Sequence, residues 1–167
     1  TMNKYFFKRF ERQTILAEDN FEQPCHASIM VIGMGRVGMG AYHALNAHLD
    51  QRVWGIDADK AKTVWLKSQK INAYYGDADD AYFWESIDLT RLELVLIALP
   101  SAKDSMSISE QLQAANYQGK IAAIARYDDE KELLQKSGID KVFNFYNEAG
   151  VGFADESIAM ISPDKLR

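Results

Sequence analysis

Ile29-Met-Val-Ile-Gly33-Met-Gly35-Arg36-Val-Gly38 reads as an apolar strand running straight into a Gly-x-Gly-x-x-Gly turn and a helix. Val53-Trp-Gly-Ile-Asp57 then closes a second strand on a carboxylate, nineteen residues beyond Gly38. Each part suits the holding of a dinucleotide or an adenosine nucleotide. Gly33 permits a tight turn, Gly35 lets the backbone approach phosphates with no Cβ between, and Gly38 allows close packing of helix on strand. The free N–H groups and positive end of that helix face the anion. Asp57 is placed to accept hydrogen bonds from ribose hydroxyls. A carboxylate there repels a 2′-phosphate, and no Arg follows it in Asp57-Ala58-Asp59-Lys60. NAD(H) or an adenosine phosphate is therefore expected in preference to NADP.

Outward from this unit, strand-like and helical runs alternate, the pattern of βαβ units and a parallel sheet. Strands are expected at 28–33, 52–57, 71–75, 92–98, 120–125 and 140–145. Several are continuously apolar, as a sheet covered on both faces requires. The expected helical faces are Val37, Ala41, Ala44, Leu45 and His48; Ala61, Val64, Trp65 and Ser68; Phe83, Trp84 and Ile87; and Ile108, Leu112 and Ala115. A fifth helix, capped by Asp128 or Asp129, carries Leu133 and Leu134 to Gly138, and residues 148–161 form a last one before Pro163. Six strands with crossover helices give an α/β, Rossmann-like, doubly wound parallel sheet of order 3-2-1-4-5-6.

In such a sheet the ligand crevice lies at the carboxyl ends of the strands beside the switch point. Within Tyr74-Tyr75-Gly76-Asp77-Ala78-Asp79 at the end of the third strand, Gly76-Asp77-Ala78 thus passes near adenine and ribose, and Asp77 or Asp79 also suits a helix cap. Ala98-Leu99-Pro100-Ser101 flanks the ligand from the fourth strand, with Ser101 as a cap. Arg36 and Arg126 fall at the crevice rim, either as solvated charges or as grips for phosphate or an acidic effector. His43 and His48 are five apart on one helix and His26 precedes the first strand, so the histidines converge on no site.

The rest of the chain narrows the field. At 167 residues it fits one domain with a substantial core. A net charge of −5 without a Lys/Arg cluster argues against a general nucleic-acid binder. Cys25 is the single cysteine, which leaves no internal disulfide and no cysteine-based zinc site. The longest apolar run, Leu94 to Leu99, is too short to cross a bilayer. Residues 1–27 stand apart from the alternating pattern: Tyr5, Phe6, Phe7 and Phe10 interleave with Lys4, Lys8, Arg9 and Arg12, before the acidic stretch Glu18 to Glu22. Two readings fit, a helix packed on its own domain or a partner subunit, and a linker from a membrane-embedded portion.

Taken together, the Gly-x-Gly-Arg-x-Gly turn, Ile56-Asp57-Ala-Asp59, Tyr75-Gly76-Asp77-Ala78 and Ala98-Leu99-Pro100 resemble the regulator of potassium conductance domain, also called the KTN or TrkA-N domain. Ile32-Gly-Met-Gly-Arg36 and Ile124-Ala-Arg126-Tyr-Asp128 are most similar to the cytosolic C-terminal domains of Kef-type glutathione-gated potassium/proton antiporters. The resemblance covers residues 28 to 145, within a domain of 28–147 followed by a helix and tail over 148–167. It implies a non-enzymatic homodimer at the cytoplasmic side of the inner membrane, which binds NAD(H) or AMP and biases a membrane-embedded transport portion of the parent chain. Gly33, Met34, Gly35, Arg36, Val37, Asp57, Ala58, Gly76, Asp77, Ala78 and Leu99 match the nucleotide site. Arg126 matches an arginine of the glutathione region, although Ala123-Ile-Ala-Arg126 lacks the second arginine common in that subgroup. Two enzyme readings compete. A fragment of an NAD-dependent oxidoreductase lacks a substrate domain and an evident general acid. A methyltransferase using S-adenosylmethionine fits Tyr-Gly-Asp-Ala and the full glycine spacing poorly.

Overall fold

The computed structural model describes residues 22–161; the aromatic and basic stretch of residues 4–12 and Pro163 lie outside them. Six strands form one all-parallel sheet of order β3-β2-β1-β4-β5-β6, as the alternating pattern predicts. They are β1 (Ile29–Ile32), β2 (Val53–Asp57), β3 (Ala73–Tyr75), β4 (Leu94–Ile97), β5 (Lys120–Ala125) and β6 (Lys141–Asn144). The intervening helices are α1 (Arg36–His48), α2 (Lys60–Ser68), α3 (Ala81–Glu85), α4 (Ala102–Ala114) and α5 (Asp128–Lys136), and α6 (Phe145–Ile158) follows β6. β1 pairs with β2 on one side and β4 on the other, so Ile32 lies level with Ile56 and Ile97. The chain reverses its winding there, and the strand ends part into a crevice.

Alternate residues of β1 feed opposite faces of the sheet. Met30 and Ile32 join a core with Phe83 and Trp84 of α3, Ile108 and Leu112 of α4, and Leu134 of α5. Ile29 and Val31 join a second core with Tyr42 of α1 and Leu66 of α2. All of β1 and β2 is buried, whereas from β4 to β6 burial alternates. Val95, Ile97, Ile121, Ala123 and Val142 are covered, while Ile124 is half-buried and Phe143 is 44% exposed. The expectation of a sheet covered on both faces therefore holds for β1 and β2 and is corrected for its β5–β6 side. The apolar content of a strand does not by itself say whether a helix lies above it.

Two helical faces also need correction. α1 turns Gly38, Tyr42 and Leu45 inward and leaves Ala44 and His48 exposed. The glycine turn sets where the helix begins, and Tyr42 is held because its hydroxyl accepts the Asn72 N–H at 3.0 Å. α2 buries Thr63 and Leu66 and leaves Val64 and Trp65 outward, 62% and 58% exposed. In α3, Phe83 and Trp84 are buried as the spacing predicts, and in α4 Ile108 and Leu112 are, whereas Ala115 is exposed past its end.

Caps explain most boundaries. Asp59, Asp80 and Ser101 accept from the first turns of α2, α3 and α4. Asp80, not Asp77 or Asp79, thus caps α3, since Asp77 Oδ1 is taken by the Asp79 N–H at 3.0 Å. α5 follows Tyr127 with no side-chain cap, and Asp128 instead accepts from Asn144 Nδ2 at 2.7 Å. Asn144 itself caps α6, accepting the Asn147 N–H at 3.1 Å, so this helix leaves β6 directly at Phe145 and not at 148. Gln23 fixes the segment before β1 by exchanging two hydrogen bonds with the Asp88 backbone.

Candidate functional site

The crevice at the switch point has a volume of about 580 Å³. That is within the usual range for small-molecule sites. Gly33 and Gly35 form one wall, Asp57, Ala58 and Lys62 the side toward β2, Gly76 to Asp79 the side toward β3, and Ala98 to Pro100 the side toward β4. Of the residues expected from sequence, Gly33, Gly35, Asp57, Ala58, Gly76, Asp77, Ala78 and Leu99 line it together. Met34, Arg36 and Val37 do not: Met34 is buried beneath, while Arg36 opens α1 on an exposed position.

The turn is built by backbone constraint. Gly33 sits at φ +88°, and its N–H donates to the Ile56 carbonyl at 2.8 Å, tying the turn to β2. A Cβ on Gly38 would lie 1.8 Å from the Gly33 carbonyl oxygen, so helix and turn are in direct contact. Gly35 is the opposite case. As the N-cap of α1 it has no side chain to offer the helix N–H groups, and a Cβ there would meet nothing within 4 Å. α1 also lacks any acidic residue in its first turn, whereas uncapped α5 carries Asp128, Asp129 and Glu130. The positive end of α1 is thus left for an outside anion.

Asp57 faces that end from β2 and is 8% exposed. Its Oδ2 accepts the Met34 N–H and the Lys62 ammonium, each at 2.9 Å, and Oδ1 accepts the Asp59 N–H at 2.9 Å. One carboxylate therefore fixes the glycine turn, the start of α2 and the crevice wall. Across from it, Ala78 is held by its carbonyl, which accepts the buried Trp84 Nε1–H at 2.8 Å.

Sequence reasoning missed Lys62 and Asp104, which also line the crevice, as does Asp79, expected there only as a helix-cap candidate. Lys62 lies in the first turn of a helix whose start is set by the Asp59 cap, and that cap was the available signal. Arg126 was expected at the crevice rim and does not line it. Glu130 holds it instead, accepting the Arg126 N–H at 2.8 Å and its guanidinium at 3.3 Å. Among the described residues no group of His, Cys, Asp and Glu is placed to hold a metal ion. Nor is any helix there long and apolar enough to cross a membrane.

A Rossmann-type sheet with an open glycine turn, an uncapped helix and an acid closing the second strand defines the class of nucleotide-binding α/β folds. Residues 29–145 match the model of the TrkA-N domain, and the chain belongs to that family. No match is found among curated proteins. Among solved structures, the chain is similar to the NAD(P)-binding domain of an exopolyphosphatase-related protein from Archaeoglobus fulgidus, at 23% identity and a TM-score of 0.73, over 80% of this chain and 99% of that one. It is similar to the TrkA-N domain of the Escherichia coli inner membrane protein ybaL, at 22% identity and 0.68, over 78% and 96%. The Shewanella denitrificans Kef C-terminal domain in AMP-bound form matches at 19% identity and 0.61, over 80% and 82%.

Proposed function

We propose that this chain is the cytosolic regulatory domain of a potassium or cation/proton efflux transporter, which binds AMP or NAD(H) without turning it over and gates an attached membrane part. The observation that carries the nucleotide reading is the pairing across one crevice of the uncapped α1 N-terminus at Gly35 with the Asp57 carboxylate. Phosphate fits the first and ribose hydroxyls the second. Membership of the TrkA-N family and likeness to a domain of an inner membrane protein support the membrane context. Gating requires that the ligand bind one arrangement of the assembly better than another, since only differential affinity shifts an equilibrium. The oxidoreductase reading is disfavoured by the crevice lining, which among the described residues offers carboxylates and one lysine, at the ribose end, but no His or Tyr as proton donor.

Calorimetric titration of AMP and NAD into the intact chain and into Gly35→Ala tests this reading. The alanine Cβ enters open space, so the variant folds normally, yet it narrows the phosphate wall and is expected to weaken AMP by about tenfold or more. Thermal shift extends the test to S-adenosylmethionine and glutathione, because a ligand at about 100 times its Kd stabilises the native state by about 2.7 kcal/mol. A chain indifferent to AMP and NAD contradicts the proposal.

The partner we assign is a second copy of the chain. α6 buries none of its residues, and Tyr146 and Phe153 on it are 55% and 77% exposed. An apolar face of this kind is covered by association in soluble proteins. Sedimentation at micromolar concentration is expected to give a dimer, and Phe153→Asp a monomer; a monomeric parent chain contradicts the assignment.

A further inference from the structure

Lys62 stands at the end of the crevice where the nucleotide reading puts the ribose. Its ammonium donates to Asp57 Oδ2 at 2.9 Å, and it lines the same crevice as Asp57 and Ala58. The two side chains differ in access: Asp57 is 9% exposed and Lys62 37%. Asp57 is thus a fixed wall and Lys62 a tethered cation able to follow what binds.

A carboxylate offers about four acceptor directions. Three on Asp57 are filled, by the Met34 N–H, the Asp59 N–H and Lys62. The two N–H donors belong to the turn and to the start of α2, so they cannot leave without distorting the fold. A ribose diol donating through both hydroxyls needs two places, and the second must come from Lys62. The displaced ammonium then lies beside the sugar oxygens. Nearby, the Asp59 carboxylate accepts the Lys62 N–H at 3.0 Å, and Asp77 accepts the Asp79 N–H.

We propose that Lys62 is the specificity-determining residue of the ribose end, neutralising Asp57 in the free crevice and pairing with a phosphate on the ribose 2′-oxygen when one is present. The pocket then takes both plain and 2′-phosphorylated adenosine nucleotides. An acid closing the second strand rejects a 2′-phosphate when it stands alone. Asp57 does not stand alone. The inference rests on the nucleotide reading above and refines its ribose end.

Titration of AMP and of adenosine 2′,5′-bisphosphate, which differ only in the 2′-phosphate, tests it in the intact chain, Lys62→Met and Lys62→Arg. The parent chain is expected to bind the two ligands within about tenfold of each other. Lys62→Met is expected to shift their affinity ratio against the bisphosphate by about tenfold or more, and Lys62→Arg to keep the parent ratio. An unchanged ratio in Lys62→Met, with AMP still bound by the parent, overturns the role of Lys62 and leaves the nucleotide reading standing. A parent chain that binds neither ligand overturns both.

Discussion

Gly38→Ala is expected to destabilise the chain by about 3 kcal/mol and to disorganise the phosphate turn with it. Two effects of opposite sign compete. Alanine inside a helix gains about 1 kcal/mol over glycine in propensity. Against this, the new methyl would sit 1.8 Å from the Gly33 carbonyl oxygen, far inside contact distance. Neither partner can yield cheaply. Gly33 is pinned by its own hydrogen bond to Ile56 and packs on Ala98 and Leu99. α1 is held at its middle by Tyr42 on Asn72. The overlap wins, and denaturant unfolding of the variant measures it. A variant as stable as the parent would show that α1 can move off β1 at little cost.

Asp57→Ala is expected to cost about 2–4 kcal/mol of stability and to abolish measurable AMP binding. Most of the stability loss falls on one group. Met34 is 2% exposed, and its N–H loses its acceptor there. An unsatisfied buried donor costs about 1–3 kcal/mol. The Lys62 ammonium and the Asp59 N–H reach solvent more readily and add less. Asp57→Asn separates fold from binding. Its amide oxygen can still accept the Met34 N–H, while loss of charge and of one acceptor lowers nucleotide affinity. Thermal unfolding and titration of the two variants together check this. Affinity unaffected in Asp57→Asn would remove the carboxylate from ribose recognition.

The parts of the site that were legible in the sequence are those imposed by the backbone. Gly33 and Gly38 stand where a side chain has no room, and such positions leave a spaced glycine signature. The strand order was legible for a related reason, since parallel strands joined by right-handed crossovers allow few arrangements. The arcs that α1 and α2 turn inward were not legible. Ala44, Val64 and Trp65 carry the hydrophobicity, yet the angle at which each helix leaves its turn puts Tyr42 and Leu66 on the sheet. Lys62 was hidden because its contact with Asp57 arises from helix geometry set by Asp59, not from adjacency along the chain. The bare outer side of β5 and β6 was hidden too. Ile124 and Phe143 lie in runs that read simply as apolar strands, and among the described residues Ile124 is half-buried and Phe143 44% exposed.

In the proposed complex the α1 N-terminus holds a phosphate while Asp57 holds the sugar of the same molecule. A crystal structure of the chain grown with AMP decides this. The phosphate is expected against the backbone N–H groups at Gly35 and Arg36, with the ribose hydroxyls in hydrogen-bond contact with Asp57. AMP seated elsewhere, or a crevice left vacant at saturating AMP, would contradict it.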